Sequence, residues 1–225
     1  MDAIDSKQVL LTCDSYGNPR HGELDRVPTV ALPSRPGKAD LDPVLADLDP
    51  RRLLVMGTDA DLAAVLLRLL RGDRLDVELA YLPVGRSDAA RVWGVGDARL
   101  AVDGVAAAVP LIRDDSGGVL VGRGEVRGMR GECYCDDVLV LRGAAPRLVV
   151  APGPGGVAVR AGRLGGLPDG RVRPVNGTGR GSSIGRTAQL GGEPMTVVCD
   201  GVPHPREVRR WTWYRHTADW LLVRP

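Results

Sequence analysis

The chain contains no phenylalanine, and Lys7 and Lys38 are the only lysines among its 30 basic residues. Aromatic residues make up 4% of it, so a core must be assembled from Leu, Val and Ala with few rings. An Ala-, Val-, Gly- and Arg-rich chain that avoids Phe and Lys reflects the codon bias of a high-GC bacterial genome, not an arginine-rich binding surface. The formal net charge of +2 gives no overall pull toward nucleic acid or an anionic membrane, so no nucleic-acid partner is expected. No uncharged apolar run approaches the roughly 18–20 residues that cross a bilayer, so no transmembrane segment is expected. The start, MDAIDSKQVLL, is acidic and lacks the basic opening and long apolar centre of a signal peptide. These absences point to the cytoplasm. There Cys13, Cys133, Cys135 and Cys199 stay reduced, and their spacing suggests no disulfide framework.

Within the 225 residues, two strand–turn–helix units stand out. Arg51–Leu70 reads RRLLVMGTDADLAAVLLRLL and Val77–Gly94 reads VELAYLPVGRSDAARVWG. Each has a short apolar run, a loop with glycine and aspartate, then a helical pattern. Leu62, Val65, Leu66 and Leu69 recur at i, i+3, i+4 and i+7, with Gly72 placed as a C-cap. Gln8–Cys13 and Pro28–Leu32 read as strands, Ala39–Leu48 as a helix, and Asp88–Trp93 as a short helix. This alternation predicts an α/β N-terminal domain with a small parallel sheet over residues 1–94.

From Ala98 onward, short apolar runs are punctuated by Gly and Pro. They predict an antiparallel β-sandwich-like C-terminal domain over residues 95–225. RLAVDGVAAAVPLI, PMTVVCDGV, REVRRWTWY and DWLLVRP all read as strands in this domain, with Trp211 and Trp213 on one face to cap its core. Gly162–Gly185 reads as a surface loop.

A loop between a strand and a helix N-terminus is where α/β proteins hold phosphate, because backbone N–H groups and the helix dipole converge there. In this chain Gly57-Thr58-Asp59-Ala60-Asp61-Leu62 resembles the GGDGT-L motif of the diacylglycerol kinase catalytic domain. That family shares its fold with sphingosine kinases and NAD kinases. Pro83-Val84-Gly85-Arg86-Ser87-Asp88-Ala89-Ala90-Arg91 resembles the family's PLGTGNDFAR, one residue short. Ser34-Arg35-Pro36-Gly37-Lys38-Ala39 is similar to its T-x-x-P-G-x-A, and VVCDGVPHP to its closing D-G-E turn. The opening N-P-x-S-G has no match at Cys13–Gly17.

The resemblance implies ATP and Mg²⁺ as cofactors, with Gly57, Thr58, Asp59, Gly85, Arg86 and Ser87 around the nucleotide and Asp59 on the metal. It also implies a lipid or small-molecule ligand in a cleft between the domains. Thr58 and Ala60 replace glycines of the motif, adding Cβ atoms where phosphate approaches the backbone. Asp61 is a good N-cap and also sets a carboxylate where an anion would dock. Arg86 would neutralise a phosphate or pair with Asp59 or Asp61. The resulting expectation is a diacylglycerol-kinase-like protein with degraded nucleotide motifs, acting as a pseudokinase or binding module. The alternatives are an active ATP- and Mg-dependent lipid kinase and a non-enzymatic lipid or small-molecule binder.

A kinase would also need a carboxylate to position the acceptor hydroxyl. Asp103, Asp114, Asp115, Glu125, Asp136, Asp137 and Asp200 are the candidates, and nothing local singles one out. Gly177–Thr187 lacks the Walker lysine and reads as a loop. Cys133 and Cys135 without a second pair make poor zinc spacing, so no structural metal is expected. His21, His204 and His216 have no Ser or Cys nearby for a triad, and the Asn176 sequon carries no meaning in a cytoplasmic protein.

Overall fold

The computed structural model describes residues 7–14, 22–162 and 177–225. The chain divides into two compact units. One comprises Met1–Val109 with Asp219–Pro225, the other Pro110–Ala218. The C-terminal segment thus returns to the first unit, which a linear division at residue 94 does not anticipate.

In the first unit, β1 (Gln8–Cys13), β2 (Thr29–Leu32), β3 (Arg52–Gly57) and β4 (Glu78–Pro83) form a parallel sheet in the order β2-β1-β3-β4. The central strands are buried along almost their whole length, as parallel strands covered on both faces are. Helix α1 (Lys38–Leu48) buries Leu41, Val44 and Leu45, and α2 (Asp59–Arg71) buries Leu62, Val65, Leu66 and Leu69. An ion pair between Arg68 and Asp42 ties α2 to α1. Gly72 caps α2 as the sequence predicts, donating to the Arg68 carbonyl at 2.9 Å.

Beyond β4 come α3 (Asp88–Trp93) and α4 (Ala98–Asp103). The α4 segment corrects the expectation of a strand beginning at Ala98: Asp97 accepts from the Leu100 amide at 2.8 Å and caps a helix. Arg52 holds the other end of α4, donating to the carbonyls of Ala101, Val102 and Gly104 while pairing with Glu78 at 2.7 Å. The returning segment packs Val223 with Leu54, Leu82 and Ala101, and sets Trp220 edge-on to Trp93 at 6.2 Å.

The second unit is antiparallel. Its strands are β5 (Ala106–Asp114), which starts in the first unit, then β6 (Val119–Leu120), β7 (Gly124–Cys135), β8 (Val138–Gly153) and β9 (Gly156–Gly162). After them come β10 (Gly177–Thr178), β11 (Ser182–Gly185), β12 (Thr187–Cys199), β13 (Val202–Pro203) and β14 (Val208–Val223). Two strand expectations at the C-terminus merge here, since REVRRWTWY and DWLLVRP are one continuous β14. The expected loop at Gly162–Gly185 is corrected in part: Ser182–Gly185 pairs with β9 and Gly177–Thr178 with β8, while residues 163–176 lie outside the described residues.

The strands β11-β9-β8-β7-β12-β14 follow one another in a single hydrogen-bonded sheet, not two stacked ones. The expected sandwich is thus replaced by one sheet whose buried side chains form a single core cluster. β7 buries Val126 but then Met129, and its partner β8 buries Ala145 but then Leu148, so both change their inward face at the same place. Gly128 there has φ +63, and Pro146 stands opposite it without an amide to offer. All four side chains belong to one cluster with Trp211 and Trp213, whose rings meet edge-on at 5.9 Å.

Candidate functional site

The chain runs from β1 outward to β2 on one side and then crosses to β3 on the other. Ligands of open α/β sheets gather at such a reversal, beyond the carboxyl ends of the strands. The segments found there are the β2–α1 turn at Ser34–Gly37, the β3–α2 loop at Gly57–Asp61 and, beside it, the β4–α3 loop at Pro83–Ser87.

Asp61 is fully buried and its carboxylate accepts four hydrogen bonds. Oδ2 accepts from the Thr58 amide at 2.7 Å and the Thr58 hydroxyl at 2.8 Å. Oδ1 accepts from the Arg35 amide at 2.6 Å and the Ser34 hydroxyl at 3.3 Å. With Thr58 as N-cap this is a capping box closed by Asp in place of the usual Glu or Gln. The carboxylate therefore does not stand in the loop to repel an incoming anion; it is turned inward to join two loops. Gly57 is required by this arrangement, since a Cβ there would lie 2.6 Å from Asp61 Oδ2. Cys13, at the end of β1, has its thiol pushed up to about 12 by burial and by the charge of Asp61.

Asp59 is consumed in a parallel way. Its Oδ1 accepts from the Tyr81 hydroxyl at 2.8 Å and the Ser87 hydroxyl at 2.5 Å. Its Oδ2 accepts from the amides of Asp88 at 2.9 Å and Ala89 at 3.1 Å. Ser87 in turn accepts from the Ala90 amide at 2.8 Å. The first-turn donors of α3 that would meet an anionic ligand are thus met by an anion of the chain itself. Tyr81, buried on β4, also reaches the Gly57 carbonyl at 3.2 Å.

Of the residues expected around a nucleotide, Gly57, Thr58, Asp59 and Ser87 come together in these two networks. Gly85 and Arg86 are exposed at the outer loop, where Gly85 has φ +80 and open space around its Cβ position. Arg86 forms no ion pair with Asp59 or Asp61, so neither expected pairing is present among the described residues.

The arrangement does not fit Mg²⁺ on Asp59. Both oxygens are occupied twice by neutral donors, and among the described residues no three His, Cys, Asp or Glu groups come together to hold a metal. The sequence also gives no hint of the cavity of about 320 Å³ beside the ends of β3 and β4, lined by Met56, Leu82, Pro83, Asp97 and Arg99.

The acidic candidates in the rest of the chain have local duties. Asp200 accepts from the amides of Val121, Gly122 and Arg123 at 2.8–3.0 Å. Asp114 closes a turn onto Ser116 and Gly118. Asp136 accepts from the amides of Arg186 and Thr187. Glu125 pairs with Arg123, Arg127 and Arg147. Asp103 faces Arg99 at 3.9 Å, and Asp137 is exposed. The carboxyl of Asp115 is raised by partial desolvation and then by the neighbouring charge of Asp114.

Cys133 and Cys135 face the core. The ring of His204 packs on Trp211 at 5.2 Å, and His216 accepts from the Ala218 amide. His21, Asn176 and residues 15–17 of the unmatched opening motif lie outside the described residues.

No protein-family profile matches the chain, and no curated protein is similar to it in sequence. Solved structures are similar to it in fold. A Bacillus anthracis str. Sterne protein provisionally assigned as a diacylglycerol kinase superposes with a TM-score of 0.67 at 12% identity, covering 100% of this chain and 99% of that one. The fold is that of the diacylglycerol kinase-like and NAD kinase proteins. An NAD kinase from Archaeoglobus fulgidus in complex with ATP matches with a TM-score of 0.52 at 11% identity, over 96% of this chain and 93% of that one. The yeast NADH kinase complexed with NADH matches with a TM-score of 0.51 at 9% identity, over 100% and 88%. The resemblance seen in the loops thus extends over the whole chain as architecture. No helix is long and apolar enough to cross a membrane among the described residues.

Proposed function

We propose that this chain is a non-catalytic relative of the diacylglycerol kinase and NAD kinase proteins, a binding module whose phosphate loops have become structural joints. One observation carries the reading: Asp59 occupies the start of α3 with both carboxylate oxygens, accepting four hydrogen bonds. An entering phosphate would have to displace a charge-assisted network that already satisfies the donors it needs. Thr58 and Asp61 satisfy each other's amides in the same way at the start of α2. With the carboxylates of Asp59 and Asp61 both engaged, and no fitting metal site among the described residues, phosphoryl transfer lacks its electrostatic parts.

A second reading, nucleotide binding without transfer, is favoured by the exposed Gly85–Arg86 pair and by the ATP and NADH that two similar structures contain. Thermal melting with Mg-ATP separates the readings. A ligand at a hundred times its Kd adds about 2.7 kcal/mol and raises the midpoint by several degrees. The non-catalytic reading predicts no shift at millimolar Mg-ATP, and turnover of ATP with any lipid acceptor would overturn it.

A further inference from the structure

On the outer face of the second unit's sheet lies a groove of about 500 Å³ lined by Glu132, Tyr134, Gln189, Gly191, Arg209 and Arg210. Their sequence neighbours Cys133 and Trp211 belong to the core, and Leu190 reaches from the core cluster to the groove floor. Strand register sets Glu132 of β7, Gly191 of β12 and Arg210 of β14 side by side. The absent side chain at position 191 is what leaves room, since a Cβ built there meets no atom within 4 Å. Next to it β12 bulges. Gly191 pairs with Arg210 and Met195 with Val208, so three residues of β12 stand against Arg209 alone. A bulge of this kind re-aims neighbouring side chains.

The charges in the groove are unequal. Glu132 is already matched, accepting from Arg142 at 2.8 Å and from the Tyr134 hydroxyl at 3.1 Å, while Arg142 also donates to Tyr134 at 3.1 Å. Glu193 of the bulge faces Arg130 at 3.9 Å. Arg209 and Arg210 are both exposed, and among the described residues neither side chain has an ion-pair or hydrogen-bond partner. The wider charge balance has the same sign: among the described residues of 110–218 there are 13 arginines and 9 acids.

Two unmatched guanidinium groups suit a phosphomonoester, which carries about −1.5 to −2 near pH 7 and presents three acceptor oxygens. The lining also includes Leu190 and Gly192, and its polar groups are the Gln189 amide, the Tyr134 hydroxyl and the remaining lone pairs of Glu132, which take hydrogen bonds from hydroxyls. We propose that this groove binds a phosphorylated polyol, with the phosphate on Arg209 and Arg210 and the hydroxyls on Gln189 and Glu132. Such a group exists as a soluble phosphate ester and as a lipid headgroup.

The test uses the full chain. ¹⁵N NMR titration with sn-glycerol 3-phosphate, with glycerol as control, reads the soluble form. Flotation with phosphatidic acid vesicles, against phosphatidylglycerol vesicles of equal charge, reads the lipid form. Saturable shifts at Tyr134, Gln189 and Arg210 with the phosphate ester alone assign the soluble source, and selective retention on phosphatidic acid assigns the headgroup. In either case the Arg209→Gln/Arg210→Gln variant weakens binding by at least about tenfold, as removal of charge-assisted contacts does. Gly191→Leu fills the gap and abolishes binding without lowering the melting temperature. The proposal is overturned if neither probe binds, or if either binds the double arginine variant as well as the parent.

Discussion

The amide of Arg35 donates to Asp61 Oδ1 at 2.6 Å, linking the turn after β2 to the first turn of α2 across 26 positions. Arg35 holds φ +51, a conformation that a non-glycine residue keeps only when its surroundings fix it. Asp61 supplies that fixing. The residue that looks in sequence like an obstacle to phosphate is, in the fold, the clasp that shapes both loops.

Asp61→Ala is expected to lower unfolding free energy by about 2–4 kcal/mol, because it removes an N-cap partner and strands buried donors. Chemical denaturation measures this. Asp61→Thr, which restores the kinase-like residue, is expected to destabilise as well and to create no response to Mg-ATP in thermal melting.

Gly57→Ala is expected to be destabilising in the parent, where its Cβ meets the Asp61 carboxylate at 2.6 Å, and milder in an Asp61→Ala background, where only the 3.0 Å approach to the Cβ of residue 61 remains. A double-mutant cycle should return a coupling of about 1 kcal/mol or more. Additive effects would contradict the contact.

Asp59→Asn keeps the shape but turns an acceptor pair into one acceptor and one amide facing donors. A loss of about 1–2 kcal/mol is expected. Faster hydrogen exchange at Asp88 and Ala89 should accompany it, since these amides lose their charged acceptor.

Stability should fall on both sides of neutrality. The thiols of Cys13, Cys133 and Cys199 are pushed up to about 12, chiefly by burial. Unfolded thiols ionise near 8.5, so the folded state is favoured below that value and loses its advantage as pH rises from about 9 toward 12. Burial raises the carboxyl of Glu125, but hydrogen bonding by Arg127 and the charges of Arg123 and Arg147 outweigh it and lower the group overall. That contribution is present above the unfolded pKa of about 4.3 and is lost as pH falls below it. Denaturant midpoints at pH 3.5, 7 and 10 should be highest at 7, and a Cys133→Ala variant should show a shallower alkaline decline.

Gly131→Ala is expected to prevent normal folding of the second unit. Its φ is +150, and a Cβ would lie 2.1 Å from the Gly191 carbonyl oxygen. Gly191→Ala, one strand away, has open space and should be close to neutral. Circular dichroism and melting temperature distinguish the two.

The α/β half was legible because its signals are local. Apolar runs closed by Gly57 and Gly72, and the i, i+3, i+4, i+7 leucines of α2, specify strands and a helix without help from distant residues. Helix α4 is hard to read because its apolar residues look like the start of β5; the Asp97 cap opens the helix, and Arg52, from β3, bonds to the carbonyls at its other end. The length of β14 was likewise hidden, since the polar stretch Arg215–Asp219 reads as a break unless the neighbouring strands are known.

Chain order alone specifies that residues 51–94 form two β–loop–α units, and that both loops depart from the kinase pattern. It fixed which residues occupy the loops, because chain order, caps and periodicity are near-neighbour properties. Long-range packing sets which way the carboxylates of Asp59 and Asp61 point, and therefore whether they hold metal, repel phosphate or clasp the fold. Their partners, Ser34 and Arg35 for one and Tyr81 and Ser87 for the other, lie more than twenty positions away. Spacing along the chain encodes the capping-box contact of Asp61 with Thr58, three positions away, but not the donors that reach the two carboxylates only in space.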